Sequence, residues 1–425
     1  MSGTSQSVTE SPPKKNYCWA WVIFFTCALY GAFSHLLRIY ADFFPNALIS
    51  NQALGTTLYY ATYILMQLPM GIAIEKIGVR KVLLFSLSMI CVGLIIFAHT
   101  VYVDVAIAAR ILVAAGAAAL FISALRLVVH WFPQKYFATL AGCLTGMGML
   151  AAVGLDHYLL IRSGQLAALS SYFSLPLLCG IALFLMTAFW VRTKSNRVTY
   201  TALRESVLLS VRRVIFTPQL WCIGIVGGLL YLPAPIFVNA WAIPFLRAVH
   251  NFSASAANTG AFLTLSGWIL SNFLMGFLSD YFQTRKIPLI IATLGAAASS
   301  GLLLFSPLEN HIVINILLFT LGLFCGIHAI CFALSIENAT PHTTAIALSF
   351  TNLLIILIGV LVKPVIGVFL ENLNDTLIPL NSTIVYSSWD FLMALSIIPI
   401  GLITAYFFTL FIHETLGRDK KVHAE

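Results

Sequence analysis

Arg38, Asp156 and Lys363 are among the ionisable side chains that interrupt long apolar runs of this chain. A charge in apolar surroundings is costly, and its default reading is a functional one. Arg38 follows Gly31, Ser34 and His35 at the i, i+3, i+4, i+7 spacing of one helical face. A small and polar stripe of that kind lines a cavity, where a guanidinium offers a planar fork of donors to a carboxylate or phosphate. Asp42, four residues on, provides the alternative of a surface salt bridge. Asp156 is of the type that exchanges protons once desolvation raises its affinity for them, or else holds a structural hydrogen bond. Lys363, followed by Pro364, has three readings: binding an anion, moving a coupling charge, or snorkelling outward.

Two more segments carry polar groups at helical spacing. Tyr231, Pro233, Pro235, Asn239 and Trp241 fall together, and paired prolines interrupt a backbone ladder where a helix lines a cavity. Asn239 and Trp241 are therefore candidate solute contacts, with an interface anchor as the other reading of the tryptophan. His328, Cys331 and Ser335 share a face, but with no acid beside them they read as core.

These residues need elements to position them, and composition says which. Of 425 residues 60% are hydrophobic and 9% are charged, against roughly 25% charged in a soluble domain. Such an inventory cannot build a water-facing surface. About 20 apolar residues cross a bilayer as a helix, and the chain offers twelve such runs, centred near Cys27, Leu65, Cys91, Ala117, Gly148, Ile181, Gly228, Trp268, Gly295, Gly322, Ile358 and Ile398. The polar stretch Met1 to Asn16, with Pro12, Pro13, Lys14 and Lys15, lacks the layout of a cleaved signal peptide, so the first run is expected to remain as a span. The eight cysteines lie almost entirely inside apolar runs, with no close pair, and read as small buried hydrophobes.

The formal charge of +8 follows topology rather than nucleic-acid binding. Loops on the side of both termini hold seventeen basic residues, among them Lys76, Arg80, Lys81, Arg212, Arg213, Arg285 and Lys286, whereas the opposite loops hold Arg162 and Arg247. That asymmetry places both termini in the cytoplasm. The expected layout is a cytoplasmic tail over 1–18, a six-helix bundle over 19–192, a cytoplasmic linker over 193–218, a second bundle over 219–413 and a cytoplasmic tail over 414–425. The halves echo each other: GIAIEKIGVRK from Gly71 matches GFLSDYFQTRK from Gly276, and prolines at 133 and 341 recur at nearly the same offset. Two segments in register argue for an internal duplication, as in many transporters.

These loops resemble those of the major facilitator superfamily, in which a glycine, an acid four residues on, and then basic residues follow spans two and eight. The copies here are Gly71, Glu75, Gly78, Arg80 and Lys81, then Gly276, Asp280, Arg285 and Lys286, with Glu75 in place of the usual aspartate. The resemblance implies an all-α membrane protein of twelve helices in two pseudo-symmetric bundles. It also implies a conformational latch built from Gly71, Glu75, Arg80, Gly276, Asp280 and Arg285, which breaks and reforms as the bundles rock. Arg110 looks like the arginine of the family's fourth span, and HETLGRDK from His413 is similar to the tail of its sugar porters.

Within the superfamily, RLVVHWFPQK from Arg126 and LLRIYADFFP from Leu36 look like the organophosphate and anion transporters. TYILMQLPMG and NAWAIPFL are similar to amino-acid and nucleoside importers of intracellular bacteria. The organophosphate pattern has a second arginine in span seven, where Ala234 and Pro235 stand here, and its span-five histidine falls on or near Gly148.

Resemblance and residues together lead us to expect a secondary transporter of a small anionic or zwitterionic solute in a bacterial inner membrane, monomeric, with the intramembrane charges and polar faces above assigning proton coupling to Asp156 and solute contact to Arg38, His35, Asn239, Trp241 and Lys363. An organophosphate exchanger and a transporter-like sensor are the alternatives. No GxxxxGK[ST] loop occurs, so a gradient rather than ATP is the expected energy source. No HExxH or clustered nucleophile suggests an enzyme, and no metal or other cofactor and no nucleic-acid partner are expected.

Overall fold

The computed structural model describes residues 17–42, 52–162, 169–191, 207–373 and 387–416. The first half contains α1 (Tyr17–Asp42), α2 (Gln52–Ile77), α3 (Val79–His99), α4 (Val103–Trp131), α5 (Phe137–Arg162) and α6 (Leu169–Trp190). A short α7 (Val207–Ile215) lies within the expected linker and meets α8 (Pro218–Tyr231) at a bend of 62°. From there α8 passes through a π-helical stretch, Pro233–Trp241, into α9 (Ala242–His250). The second half continues with α10 (Ala254–Tyr281), α11 (Lys286–Phe305), and α12 (His311–Cys325) joined to α13 (Ile330–Glu337) by a 3-10 turn over Gly326–Ala329. It ends with α14 (Thr344–Leu373), and α15 (Ser388–Leu395) running into α16 (Ile397–Phe411).

Joined in this way the described helices form twelve rods, and every expected span centre falls inside one. Among the described residues, eight helical segments are by themselves long and apolar enough to cross a membrane, or nine with α7 and α8 taken together.

Packing inside each bundle follows from small residues. The core of α4, from Val113 to Leu125, is buried on all sides, as befits a helix apolar all round. Gly116 lets α3 approach so closely that a Cβ there would lie 2.6 Å from the Ser86 carbonyl oxygen, and Gly93 returns the arrangement against Ala109. Close backbone approach of this kind replaces the hydrophobic drive that lipid does not supply. The outer surface carries exposed Leu65, Phe85, Phe189, Phe277, Ile291, Ile400 and Phe407, a coat suited to lipid tails. The eight cysteines are all unpaired, and Cys18 departs from the buried expectation by being exposed.

The two bundles meet along α2 with α14 and α5 with α10. On the face where α1 begins and α16 ends, here the terminal face, backbones touch. Gly71 leaves no room for a Cβ against Ser349, Gly142 none against the Asn272 carbonyl, and Gly276 none against Ala138. Toward the opposite face Leu150, Gly154, Phe262, Leu361, Lys363, Val365 and Val368 are exposed, and among the described residues Gly154 and Gly367 have nothing within 4 Å of a Cβ position. The bundles are thus closed on the terminal face.

Candidate functional site

Between the bundles lies a half-open cleft with about 360 Å³ of empty space, part of it continuous with solvent. Its polar lining comes from both halves: His35 and Arg38 of α1 and Thr145 of α5, facing Tyr231 of α8, His328 of the 3-10 turn and Asn352 of α14. Phe121, Phe332, Ile355 and Ile356 supply the apolar wall, and the two phenylalanine rings meet edge to face at 5.3 Å.

Arg38 lies across Tyr63, donating from Nη2 to its hydroxyl at 2.7 Å with the guanidinium carbon 4.7 Å from the ring centre. Tyr59 stacks on Tyr63, their centres 6.3 Å apart. Both the Arg38 Nε and the Tyr59 hydroxyl are buried without a hydrogen-bond partner among the described residues. A cation held by aromatic rings and hydroxyls keeps its charge and leaves donor capacity for an anion.

His35 is fixed by Nδ1 at 2.9 Å from the Gly31 carbonyl oxygen. Its ring occupies the space left by Gly148, where a Cβ would stand 3.0 Å from Nδ1 and 3.2 Å from Cε1. An imidazole from α1 therefore fills the place where the organophosphate pattern has a histidine on span five. Across the cavity the Trp268 indole donates to His328 Nδ1 at 3.2 Å, and the Asn352 amide donates to Gln67 Oε1 at 3.1 Å, tying α14 to α2.

On the terminal face each bundle reaches the backbone of the other. Glu75, at the end of α2, accepts from the Ala345 N–H at 2.6 Å, at the start of α14. Asp280, at the end of α10, accepts from the Thr139 N–H at 2.8 Å and from its hydroxyl at 2.6 Å, at the start of α5. Both carboxylates sit on helix N-termini, where unpaired N–H groups and the helix dipole favour negative charge.

The two acids have different cationic partners. Glu75 is paired with Arg126 at 3.3 Å, and Arg126 also donates to the Pro341 carbonyl at 3.4 Å. Asp280 is paired with Arg285 at 2.6 Å, and Arg285, fully buried, also meets Glu337 at 2.8 Å. A buried guanidinium stripped of both acids would cost several kcal/mol, so this cluster holds only as a unit. Glu414 closes it, accepting from the N–H of Arg285 at 2.9 Å, the N–H of Lys286 at 3.0 Å and the Thr284 hydroxyl at 2.8 Å, while the Thr415 hydroxyl donates to Glu337. Burial pushes the Glu414 carboxyl up, but these donors outweigh it and hold the group below the usual carboxylate range.

Sequence-derived candidates thus divide. Arg38 and His35 meet in the cavity; Gly71, Glu75, Gly276, Asp280 and Arg285 meet at the bundle interface or beside it. Arg80 stands apart, exposed and donating to the Ala188 carbonyl at 2.5 Å, and Arg126 takes the place beside Glu75. Asn239 is exposed on the π-helical stretch, and Trp241 faces Phe391 with ring centres 6.5 Å apart; neither lines the cavity. Lys363 is exposed and also outside the lining, although it shares the α14 face of Asn352 and Ile356, two turns further toward the opposite face. The side chains of Asp156 and Asp42 lie outside the described residues. His328, read from sequence as core, lines the cavity.

Two pseudo-repeated helical bundles around a central polar cavity, each capping the other's helices on one face, define a two-bundle membrane carrier. The chain belongs to the Major Facilitator Superfamily, whose pattern matches residues 18–364. Members of that family are transporters, not enzymes, so this is a multi-pass secondary transporter of a small-molecule solute. It is 22% identical over 386 residues to a protein of Arabidopsis thaliana named Probable anion transporter 5, covering 81% of this chain and 85% of the relative. In fold it is similar to FucP, the E.coli fucose:proton symporter, in the outward conformation: TM-score 0.70, 15% identity, covering 93% of this chain and 99% of FucP. The proton:xylose symporter XylE gives a TM-score of 0.66 at 15% identity, over 95% and 98% of the two chains. At these identities the two structures speak to fold alone.

Proposed function

We propose that this transporter carries a small polar organic solute, anionic or zwitterionic, by alternating access, with Arg38 as its anchor. The observation that carries the reading is the setting of Arg38: a cation lining the central cavity, held by tyrosines, with Nε unpartnered among the described residues. Among the described residues the lining holds no second arginine or lysine, which favours a single carboxylate over a dianionic phosphate ester. The name of the plant relative is in keeping with an anionic solute. The basic-residue asymmetry supports a cytoplasmic terminal face in a bacterial inner membrane, and proton coupling is assigned to Asp156.

Uptake of labelled amino acids, carboxylates, nucleosides and sugar phosphates into proteoliposomes, with and without a pH gradient, tests this reading. A carboxylate-bearing solute is the expected hit, and Arg38→Lys is expected to weaken its binding by about tenfold or more, because an ammonium cannot supply the fork. Unchanged affinity in Arg38→Lys would remove the anchor role.

A further inference from the structure

The short helix α7 has two faces in opposite environments. Val207, Ser210, Val211 and Val214 follow the i, i+3, i+4, i+7 spacing and are partly or fully buried, where α7 packs on α14 and α8. The other face exposes Leu208 at 76% and Phe216 at 74%, with Leu209, Arg212 and Arg213 also exposed. The Arg212 guanidinium carbon lies 5.6 Å from the centre of the Phe216 ring, so charge and apolar surface are interleaved on one face. Water suits such arginines and penalises the three large apolar side chains, and hydrocarbon does the reverse. The boundary between them satisfies both, because an arginine stem can follow apolar surface while its head reaches the headgroups.

The position of the helix agrees with its composition. Beside the bend of 62° between α7 and α8, Gln219 donates from Nε2 to the Phe411 carbonyl at 2.9 Å and accepts from the His413 N–H at 3.1 Å. Phe407, Leu410 and Phe411 form the exposed apolar end of α16, and beyond them the chain turns polar at His413 and Glu414. The bend therefore falls at the level where the lipid-facing coat ends, and it turns α7 off the rod toward the bilayer plane. Trp221, exposed in the first turn of α8, donates its indole N–H to the Ile215 carbonyl at 2.7 Å and pins the end of α7 to the span. Tryptophan is enriched at membrane–water interfaces.

We propose that α7 rests on the bilayer surface at the terminal face, with Leu208, Leu209 and Phe216 among the upper acyl chains and Arg212 and Arg213 on the phosphates of anionic lipids. Over this helix the expected linker is then a membrane-surface element.

The full-length protein in nanodiscs tests the burial. An environment-sensitive fluorescent amino acid takes the place of Leu208, and lipids brominated high on the acyl chain are compared with unbrominated ones. Emission is expected to fall to about half or less, and to change little with the same residue in place of His342, which is exposed beside the Arg126 contact between the bundles. Quenching at 208 no greater than at 342 would overturn the proposal. Native mass spectrometry of the protein equilibrated with equal amounts of phosphatidylglycerol and phosphatidylcholine tests the charge. Arg212→Gln combined with Arg213→Gln is expected to lower the retained phosphatidylglycerol about fivefold or more, whereas Lys76→Gln combined with Lys135→Gln, an equal loss of charge from exposed positions on the same face, stays within about twofold of wild type. Equal losses in the two double variants, or no preference for phosphatidylglycerol in the wild type, would overturn the site.

Discussion

Glu75 and Ala345 are joined across the bundle interface by a side chain and a peptide group: the carboxylate of one bundle accepts the N–H that opens a helix of the other, at 2.6 Å. Asp280 repeats the relationship with Thr139 in the opposite sense. On the closed terminal face two anions thus sit on two helix N-termini, and the expected latch requires both contacts to part when that face opens.

Neutralising one of them should loosen the closed state without touching the cavity. In Glu75→Gln the lost charge is worth about 1–2 kcal/mol at a partly buried helix terminus, a population shift of roughly 5- to 30-fold. A cysteine at Ser349, packed beneath the latch against Gly71, reports this through its maleimide labelling rate. Labelling should rise several-fold with the solute dissociation constant within about threefold of wild type. An unaltered rate in both Glu75→Gln and Asp280→Asn would dismiss the latch.

Glu414 ties the end of the last span to the start of α11, and its carboxyl titrates below the usual range. A group with a depressed folded pKa contributes stability that is present above its unfolded pKa and lost as pH falls through the folded value. Glu414→Gln should therefore lower stability by about 1–2 kcal/mol at neutral pH, the lower part of the range for bonds to a charged, half-exposed group. The deficit should vanish at pH values below the carboxylate range. Thermal unfolding of both proteins across pH reads this out, and a deficit independent of pH would contradict the assignment.

Gly148→Ala places a methyl against the His35 ring and should displace it, weakening solute binding about tenfold while the protein remains folded. Gly154→Ala, on the same helix with nothing within 4 Å among the described residues, is the matched control and should bind as wild type. Alanine is the better helix former at both positions, so a fall in affinity at 148 alone isolates the imidazole. Equal affinities in the two variants would show that the ring position does not matter.

Asp156→Asn should abolish uphill, pH-driven accumulation while leaving solute exchange across the membrane intact, because exchange needs no net proton movement. Full accumulation in this variant would move the search to Glu337 or to an exchanger without proton coupling.

The spans, the repeated loops and the two acids that meet the bundle interface were legible because each is a local pattern: an apolar run, a recurring loop, an acid four residues after a glycine. Arg38 was legible as a charge where charge is costly. What could not be read depends on helix phase or on contacts between distant segments. His328 is buried, as the core reading expects, and its place on the cavity wall beside Trp268 depends on the packing of the 3-10 turn against α10, which no local pattern carries. Asn239 and Trp241 sit on a π-helical stretch that slips the phase of the helix, so a cavity face counted at α-helical spacing no longer holds there. Arg126 joins Glu75 only through the packing of α4 beside α2, for which the sequence gives no spacing rule.

The receiving side of the latch is a peptide N–H, a group that every residue except proline possesses. Ala345 and Thr139 can then be exchanged for other non-proline residues of fitting size without removing the bond, whereas the acids that reach them have no such freedom. The two bundles recognise each other through a part on one side that is written in the sequence and a part on the other that is written only in the backbone. An engineer splicing bundles from two such carriers would have to keep Glu75 and Asp280, and could redraw the helix starts that they grip.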